Sequence, residues 1–138
     1  PEYRNSATIA LLWRGIAAYI EQHDIGLLFG CASFPGIDPL RHAAGLSYLH
    51  HFHRAPPEIR PIAHAENHMT MDMLPIGGFD ARAALHALPP LIKAYLRVGA
   101  MTGEGAFVDQ RFNTVDVSIV MPVELIARSY AARFNVAA

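Results

Sequence analysis

Three histidines close together, His50, His51 and His53 in the run Leu-Ser-Tyr-Leu-His-His-Phe-His, are the residues best able to exchange a proton near neutral pH. His50 and His51 are the candidates for catalysis, and a histidine of this group serves either as proton acceptor or as a structural hydrogen-bonder. A second group, His64-Ala65-Glu66-Asn67-His68, places its acid between two histidines as H-x-E-x-H rather than H-E-x-x-H. Neither group has a zinc spacing, so no catalytic metal is expected. At the start of the chain, Arg4-Asn5-Ser6-Ala7-Thr8 precedes a helical pattern. The first N–H groups of a helix lack internal partners and its dipole favours an anion, so this loop reads as a phosphate site, with Arg4 offering a planar fork. The bland alternative for Arg4 is a solvated side chain near a helix start.

The elements that would carry these groups follow from periodicity. Ile9, Leu12, Trp13, Ile16 and Ile20 make a helix face over 7–22, widened by Leu11, Ala17 and Ala18 until the helix is expected to be covered on most sides. The run Ile25 to Ala32 is continuously apolar and reads as a strand buried on both faces, with Cys31 an inert core thiol. Helix then buried strand is half of a parallel crossover, so a parallel strand is expected upstream of Pro1 and the chain is expected to be part of a larger domain. Asp38 and Pro39 start a helix that runs to about His53, and Pro56-Pro57 stops it. Residues 58–63 have the makings of an edge strand. The segment around Met69, Met71, Met73, Leu74 and Ile76 has no period; it either packs as an irregular loop or lines an acyl-chain groove. Asp80 caps a further helix that Pro89-Pro90 must kink or split. Gly103 and Gly105 mark a turn, residues 106–109 pair with 114–121 as a hairpin, and Pro122 opens a last helix bearing Arg128 and Arg133. One α/β unit, with a mixed sheet and flanking helices, accounts for all of this.

Composition narrows the class. With 52% hydrophobic and 17% charged residues, the chain has the apolar surface that a folded core needs. Eleven basic residues against twelve acidic ones, without a Lys/Arg cluster, exclude a nucleic-acid partner. One cysteine in 138 residues precludes an internal disulfide framework and fits a reducing cytoplasmic setting. No apolar run approaches the length of a membrane span.

Two resemblances give the loop a function. Residues 1–4 before the helix resemble the loop after the fourth strand of the GNAT acyltransferase superfamily, where Arg-x-x-Gly-x-Gly/Ala cradles the pyrophosphate or pantetheine arm of the acyl donor. Here Ala7 and Ile9 stand at the two glycine positions. A second resemblance covers most of the chain. Leu-Leu-Trp-Arg-Gly-Ile (11–16), Leu-Phe-Gly-Cys-Ala-Ser (28–33) and the histidine run (46–53) are similar to the ornithine-lipid N-acyltransferases, GNAT-like proteins often labelled hemolysin-like. So are Leu-Pro-Pro-Leu-Ile-Lys-Ala-Tyr-Leu-Arg (88–97) and Phe-Asn-Thr-Val-Asp-Val (112–117).

This resemblance implies a GNAT-like fold without its N-terminal strands. It also implies transfer of a 3-hydroxyacyl group from acyl carrier protein to the α-amino group of ornithine, in lipid biosynthesis. The implied donor site is Arg4, Asn5, Ser6, Ala7 and Thr8, holding the phosphopantetheine of acyl carrier protein or an acyl-CoA, with no tightly bound cofactor. Asp109, Asn113 and Asp116 would hold the acceptor's ammonium groups, with shaping of the hairpin turn as the alternative role for Asp109 and Asn113. Peripheral membrane contact and self-association are further expectations; the alternatives are an acyl-homoserine-lactone-synthase-like or other N-acyl amine synthase, or a non-catalytic fragment or binding module, the centre of the site being expected upstream of Pro1.

Overall fold

Residue 114 onward alternates β-branched and polar side chains, and this period-two pattern forms the middle of the sheet. The computed structural model describes residues 6–126. Strand β3 (Thr114–Pro122) lies between β1 (Leu27–Pro35) and β2 (Met101–Asp109), antiparallel to both. Val115, Val117, Ile119 and Met121 fall on one face opposite Phe34, Ala32, Gly30 and Leu28 of β1. That face is buried under helix α2 (Ala43–Phe52) through Leu46 and Leu49, under Leu88, which ends α3 (Ala81–Ala87) as its C-cap, and under Ile92 of α4 (Pro90–Arg97). Each such side chain contributes about 1.5–3 kcal/mol by leaving water. The result is the expected α/β unit of sheet and flanking helices, with a sheet that is antiparallel throughout.

The helix boundaries follow their caps. The Asp38 carboxylate accepts the Leu40 N–H at 3.1 Å, and Pro39 opens a 3-10 turn over Pro39–His42 that continues into α2. Asp80 accepts the N–H groups of Arg82 and Ala83 at 2.9 and 3.0 Å to start α3. Pro89-Pro90 splits the downstream helix: α3 ends at Ala87 and Pro90 becomes the first residue of α4. Residues 123–126 are helical directly after Pro122; Arg128 and Arg133 lie outside the described residues.

Gly103 and Gly105 do not mark a turn, as the sequence suggests, but sit within β2, where the register against β3 slips between Thr102 and Ala106. The bulge hands the backbone to new partners. Glu104 donates its N–H to the Pro61 carbonyl at 2.8 Å and accepts from Ala63 at 2.9 Å, while Ala106 and Met69 exchange hydrogen bonds. A Cβ on Gly103 would stand 2.6 Å from the Pro61 oxygen, and Gly105 has φ +79 with the His68 ring against its α-carbon, so only glycine fits either place. Residues 58–63 therefore run along β2 through a single bridge at Ile62 after a 3-10 turn over Pro57–Ile59, rather than as a strand.

Two expectations about burial are corrected. Helix α1 (Ser6–His23) is not covered on most sides, since Leu11, Leu12, Ile16 and Tyr19 are exposed. Strand β1 is not buried on both faces either. It is an edge strand, and Phe29 (82% exposed), Cys31 and Ser33 alternate outward where no described residue forms a second layer. A continuous apolar run cannot distinguish that arrangement from a doubly covered strand. Between α1 and the sheet lies an apolar groove of ≈ 760 Å³ walled by Leu12, Ile16, Leu28 and Met121. Cys31 is accordingly a surface thiol, not a core residue. A maleimide is expected to label it completely in native buffer, and a requirement for denaturant would contradict this placement.

Candidate active site

The histidine run forms the second half of α2, so successive side chains leave the helix about 100° apart and cannot share a face. His50 turns into the protein and its side chain is 10% exposed; His51 is its edge-on neighbour at 5.1 Å between ring centroids; His53 ends the helix. His50 and Arg54 are four residues apart. The Thr102 N–H donates to the His53 carbonyl at 2.7 Å and Ala55 donates to the Thr102 carbonyl at 2.8 Å, which lays the Arg54 segment alongside β2. The Arg54 guanidinium then donates to Glu104 Oε2 at 3.0 Å, and Arg60 approaches the same oxygen at 3.8 Å. The glycines on both sides of Glu104 are what turn this residue toward the helix.

Around His50 the groups are ordered. Nδ1 is buried without a hydrogen-bond partner and faces Glu104 Oε1 at 3.8 Å. Nε2 meets the Arg54 guanidinium in a long 3.4 Å contact and Asp72 Oδ2 at 3.8 Å. Asp72, 54% exposed, marks the solvent side, and Glu104, 27% exposed, the inner side. The His50 pKa is drawn below its ordinary 6.5, first by burial and next by Arg54, against the opposing pull of Glu104 and Asp72. A neutral imidazole with Nδ1 toward Glu104 and Nε2 toward the partly exposed Asp72 can serve as an oriented general base.

His51 has a different role. A carbonyl only accepts, so His51 Nε2–H donates to the Leu74 oxygen at 2.8 Å, and it also approaches Asp72 Oδ1 at 3.2 Å. This holds the loop that carries Asp72. His50, His51 and Asp72 gather three donor atoms within 4.8 Å. However, the His51 nitrogen is already committed as a donor and the Arg54 cation borders the His50 nitrogen, and both features oppose a metal ion there.

The remaining sequence candidates fall elsewhere. Arg4 and Asn5 lie outside the described residues; Ser6, Ala7 and Thr8 form the first turn of α1 rather than a loop. Asp109 Oδ1 accepts from the N–H groups of Arg111 and Phe112 at 2.8 and 2.9 Å and so shapes the hairpin turn, where Asn113 takes φ 56. Asp116 sits on β3 between Ser33 and Phe107 with its Oδ1 buried and unpartnered. Met71 is in the core, and Met69 and Met73 pack against it. His64 and His68 are exposed.

Sequence reasoning missed Ser47, Arg54, Asp72 and Glu104. Ser47 is a fully buried polar residue on α2, three residues before His50; it accepts from Met73 N and Leu74 N at 3.2 and 2.9 Å and donates to the Met71 carbonyl at 3.3 Å. A serine inside an apolar helix, an arginine four residues after a histidine, and an acid between two glycines were the available signals.

Fold and site together define an α/β protein with a buried, acid-flanked histidine suited to removing a proton from a substrate. Comparison with known proteins narrows this. The chain is 48% identical over 135 residues to the L-ornithine N(alpha)-acyltransferase of Agrobacterium fabrum, covering 98% of this chain and 46% of that protein. It is 50% identical over 130 residues to the protein of the same name from Rhizobium meliloti (94% and 44%), and 44% identical over 137 residues to that of Brucella abortus (98% and 48%). The chain thus spans a little under half the length of these acyltransferases, and is homologous to them over nearly all of its own. No family model and no solved structure matches it.

Proposed function

We propose that the chain is part of an N-acyltransferase that moves a 3-hydroxyacyl group from acyl carrier protein to the α-amino group of L-ornithine, yielding a lyso-ornithine lipid within a GNAT-like domain. Similarity to three acyltransferases of that name supports the activity. The single structural observation behind the mechanism is the buried His50 set between Glu104 and Asp72. Ornithine enters with both amines protonated, so one must lose a proton before it can attack. Asp72 on the open side attracts an ammonium group, and Arg54 and Arg60 complement the acceptor's carboxylate. His50 Nε2 takes the α-ammonium proton, the free amine adds to the thioester carbonyl, and the C–S bond breaks as the amide forms. The imidazolium then returns its proton to the departing thiolate. Asp116 lies on the face of β3 turned away from α2 and takes no part in this step. Donor and acceptor are both cytoplasmic, and the lipid product would be released at the adjoining membrane surface; no helix among the described residues is long and apolar enough to cross it.

The test is a thiol-release assay on the full-length enzyme of which this chain is part, with 3-hydroxyacyl carrier protein, offering ornithine, lysine or S-adenosylmethionine. Ornithine-dependent release, with the Nα-acyl product identified by mass spectrometry, is expected. Release that depends on S-adenosylmethionine instead would assign a lactone-synthase-like reaction.

A further inference from the structure

Without a ligand, His50 is paired in a way that opposes its use as a base. A guanidinium only donates, so His50 Nε2 meets Arg54 at 3.4 Å with the lone pair that would take a proton. The ring hydrogen of the neutral imidazole then belongs to Nδ1, which is buried without a partner. Glu104 Oε1 faces it at 3.8 Å, about 1 Å beyond hydrogen-bond reach. Glu104 is engaged through its other oxygen, where Arg54 donates at 3.0 Å and Arg60 approaches at 3.8 Å. One nitrogen of Arg54, Nη1, therefore occupies the base and holds its neighbouring carboxylate at once. The two arginines differ in freedom. Arg60 is anchored through its Nε–H to the Ala55 carbonyl at 2.6 Å, whereas Arg54 is the more exposed of the pair.

We propose that the acceptor's α-carboxylate switches His50 into its basic arrangement by drawing Arg54 away, with Glu104 as the positioning residue. The inference deepens the proposed function and rests on its reading that the acceptor is an amine bearing a carboxylate. A carboxylate competes well for a guanidinium because it can accept two parallel N–H bonds. Once Arg54 turns to the ligand, Nε2 recovers its lone pair. Glu104 loses the shorter of its two ion-pair contacts, and its free oxygen can close on Nδ1–H. The backbone need not move, since Gly103 is packed against the Pro61 carbonyl and the bulge is fixed by its hydrogen bonds to residues 61 and 63. Asp72 remains on the open side for the ammonium group, and His51 stays tied to the Leu74 carbonyl. Different groups thus read the two ends of the acceptor. An amine without a carboxylate can still reach Asp72, but it leaves Arg54 on the base. Selection for the carboxylate is therefore expressed in turnover as well as in binding.

The probe is 1,4-diaminobutane, which is ornithine without its carboxylate, compared with ornithine on the full-length enzyme of which this chain is part. Its kcat is expected to be about 10²-fold lower, beyond any rise in KM. Glu104→Gln is expected to lower kcat for ornithine about tenfold and to leave that for diaminobutane nearly unchanged, because in the second reaction Glu104 stays with the arginines. An unchanged melting temperature shows that the variant is folded. A penalty for diaminobutane confined to KM, or an equal fall for both amines in the variant, would overturn the inference. Nitrogen NMR of the histidine rings tests it on the unmodified enzyme and without catalysis. Ornithine should move the His50 Nδ1 resonance as Glu104 closes on it, and diaminobutane should not; equal shifts would overturn the coupling. A His50 response specific to ornithine, in an enzyme that does not acylate ornithine, would count against the proposed function and not against the coupling.

Discussion

Replacing His50 with glutamine is expected to lower the turnover of ornithine acylation by about 10²–10⁴-fold with the chain still folded. Glutamine places an oxygen near the position of Nε2, where it can accept the Arg54 contact now made at 3.4 Å, and it matches the imidazole closely enough to fill the buried site. It cannot take a proton. The loss should therefore fall on kcat, with the KM for ornithine nearly unchanged, because Asp72 and the arginines remain to bind the acceptor. Wild-type activity should rise with pH through an apparent pKa below 6.5, reflecting the burial that lowers the His50 value, and then level off while the amine remains the substrate's own concern. The glutamine variant should lack this acid limb. Residual activity within threefold of wild type would remove His50 from the reaction.

The same titration bears on stability. His50 and His53 both have folded pKa values below 6.5, His53 through burial alone. Between the folded value and 6.5 the unfolded chain binds more protons, so stability rises with pH across that interval and is lost as pH falls through it. The melting temperature should accordingly drop on going from pH 7 to pH 5, and drop less in the glutamine variant.

How much of this was legible in the sequence varies with the range of the interaction. Asp38 and Asp80 were readable as caps because the signal is confined to two or three adjacent residues, and Pro89-Pro90 as a break for the same reason. The hairpin from 106 to 121 was readable from alternation. The histidine run drew notice by its residue types, yet nothing local shows that His50 points inward and His51 toward Leu74; that depends on where α2 meets the sheet. Glu104 reaches His50 across more than fifty residues of sequence, through a bulge whose glycines read equally well as a turn. Exposure of β1 and α1 was not legible at all. Apolar content records what a segment would bury, and whether a layer lies over it is decided elsewhere. The five separated motifs were a more specific guide to relatives than any of the local chemistry.

Ser47→Ala tests the connection between this packing and the reaction. The hydroxyl is fully buried and makes three hydrogen bonds to the loop that follows Thr70, holding Met71, Met73 and Leu74 against α2 with Asp72 between them. Alanine removes the acceptor. The Met73 N–H keeps its 3.0 Å bond to the Met71 carbonyl, but the Leu74 N–H is left without a partner, at a cost of about 1–3 kcal/mol. The Leu74 carbonyl is the group that fixes His51, so a loosened loop moves His51 and Asp72 together. Stability should fall by that amount in urea titration. Activity measured well below the melting temperature should fall too, with a higher KM for ornithine as Asp72 leaves the open side of His50. A purely structural serine would give the first effect without the second. The pH profile separates them further: Asp72 is one of the two carboxylates holding the His50 pKa up, so its displacement should move the acid limb to lower pH. An unshifted limb and an unchanged KM in a destabilised variant would confine Ser47 to the fold.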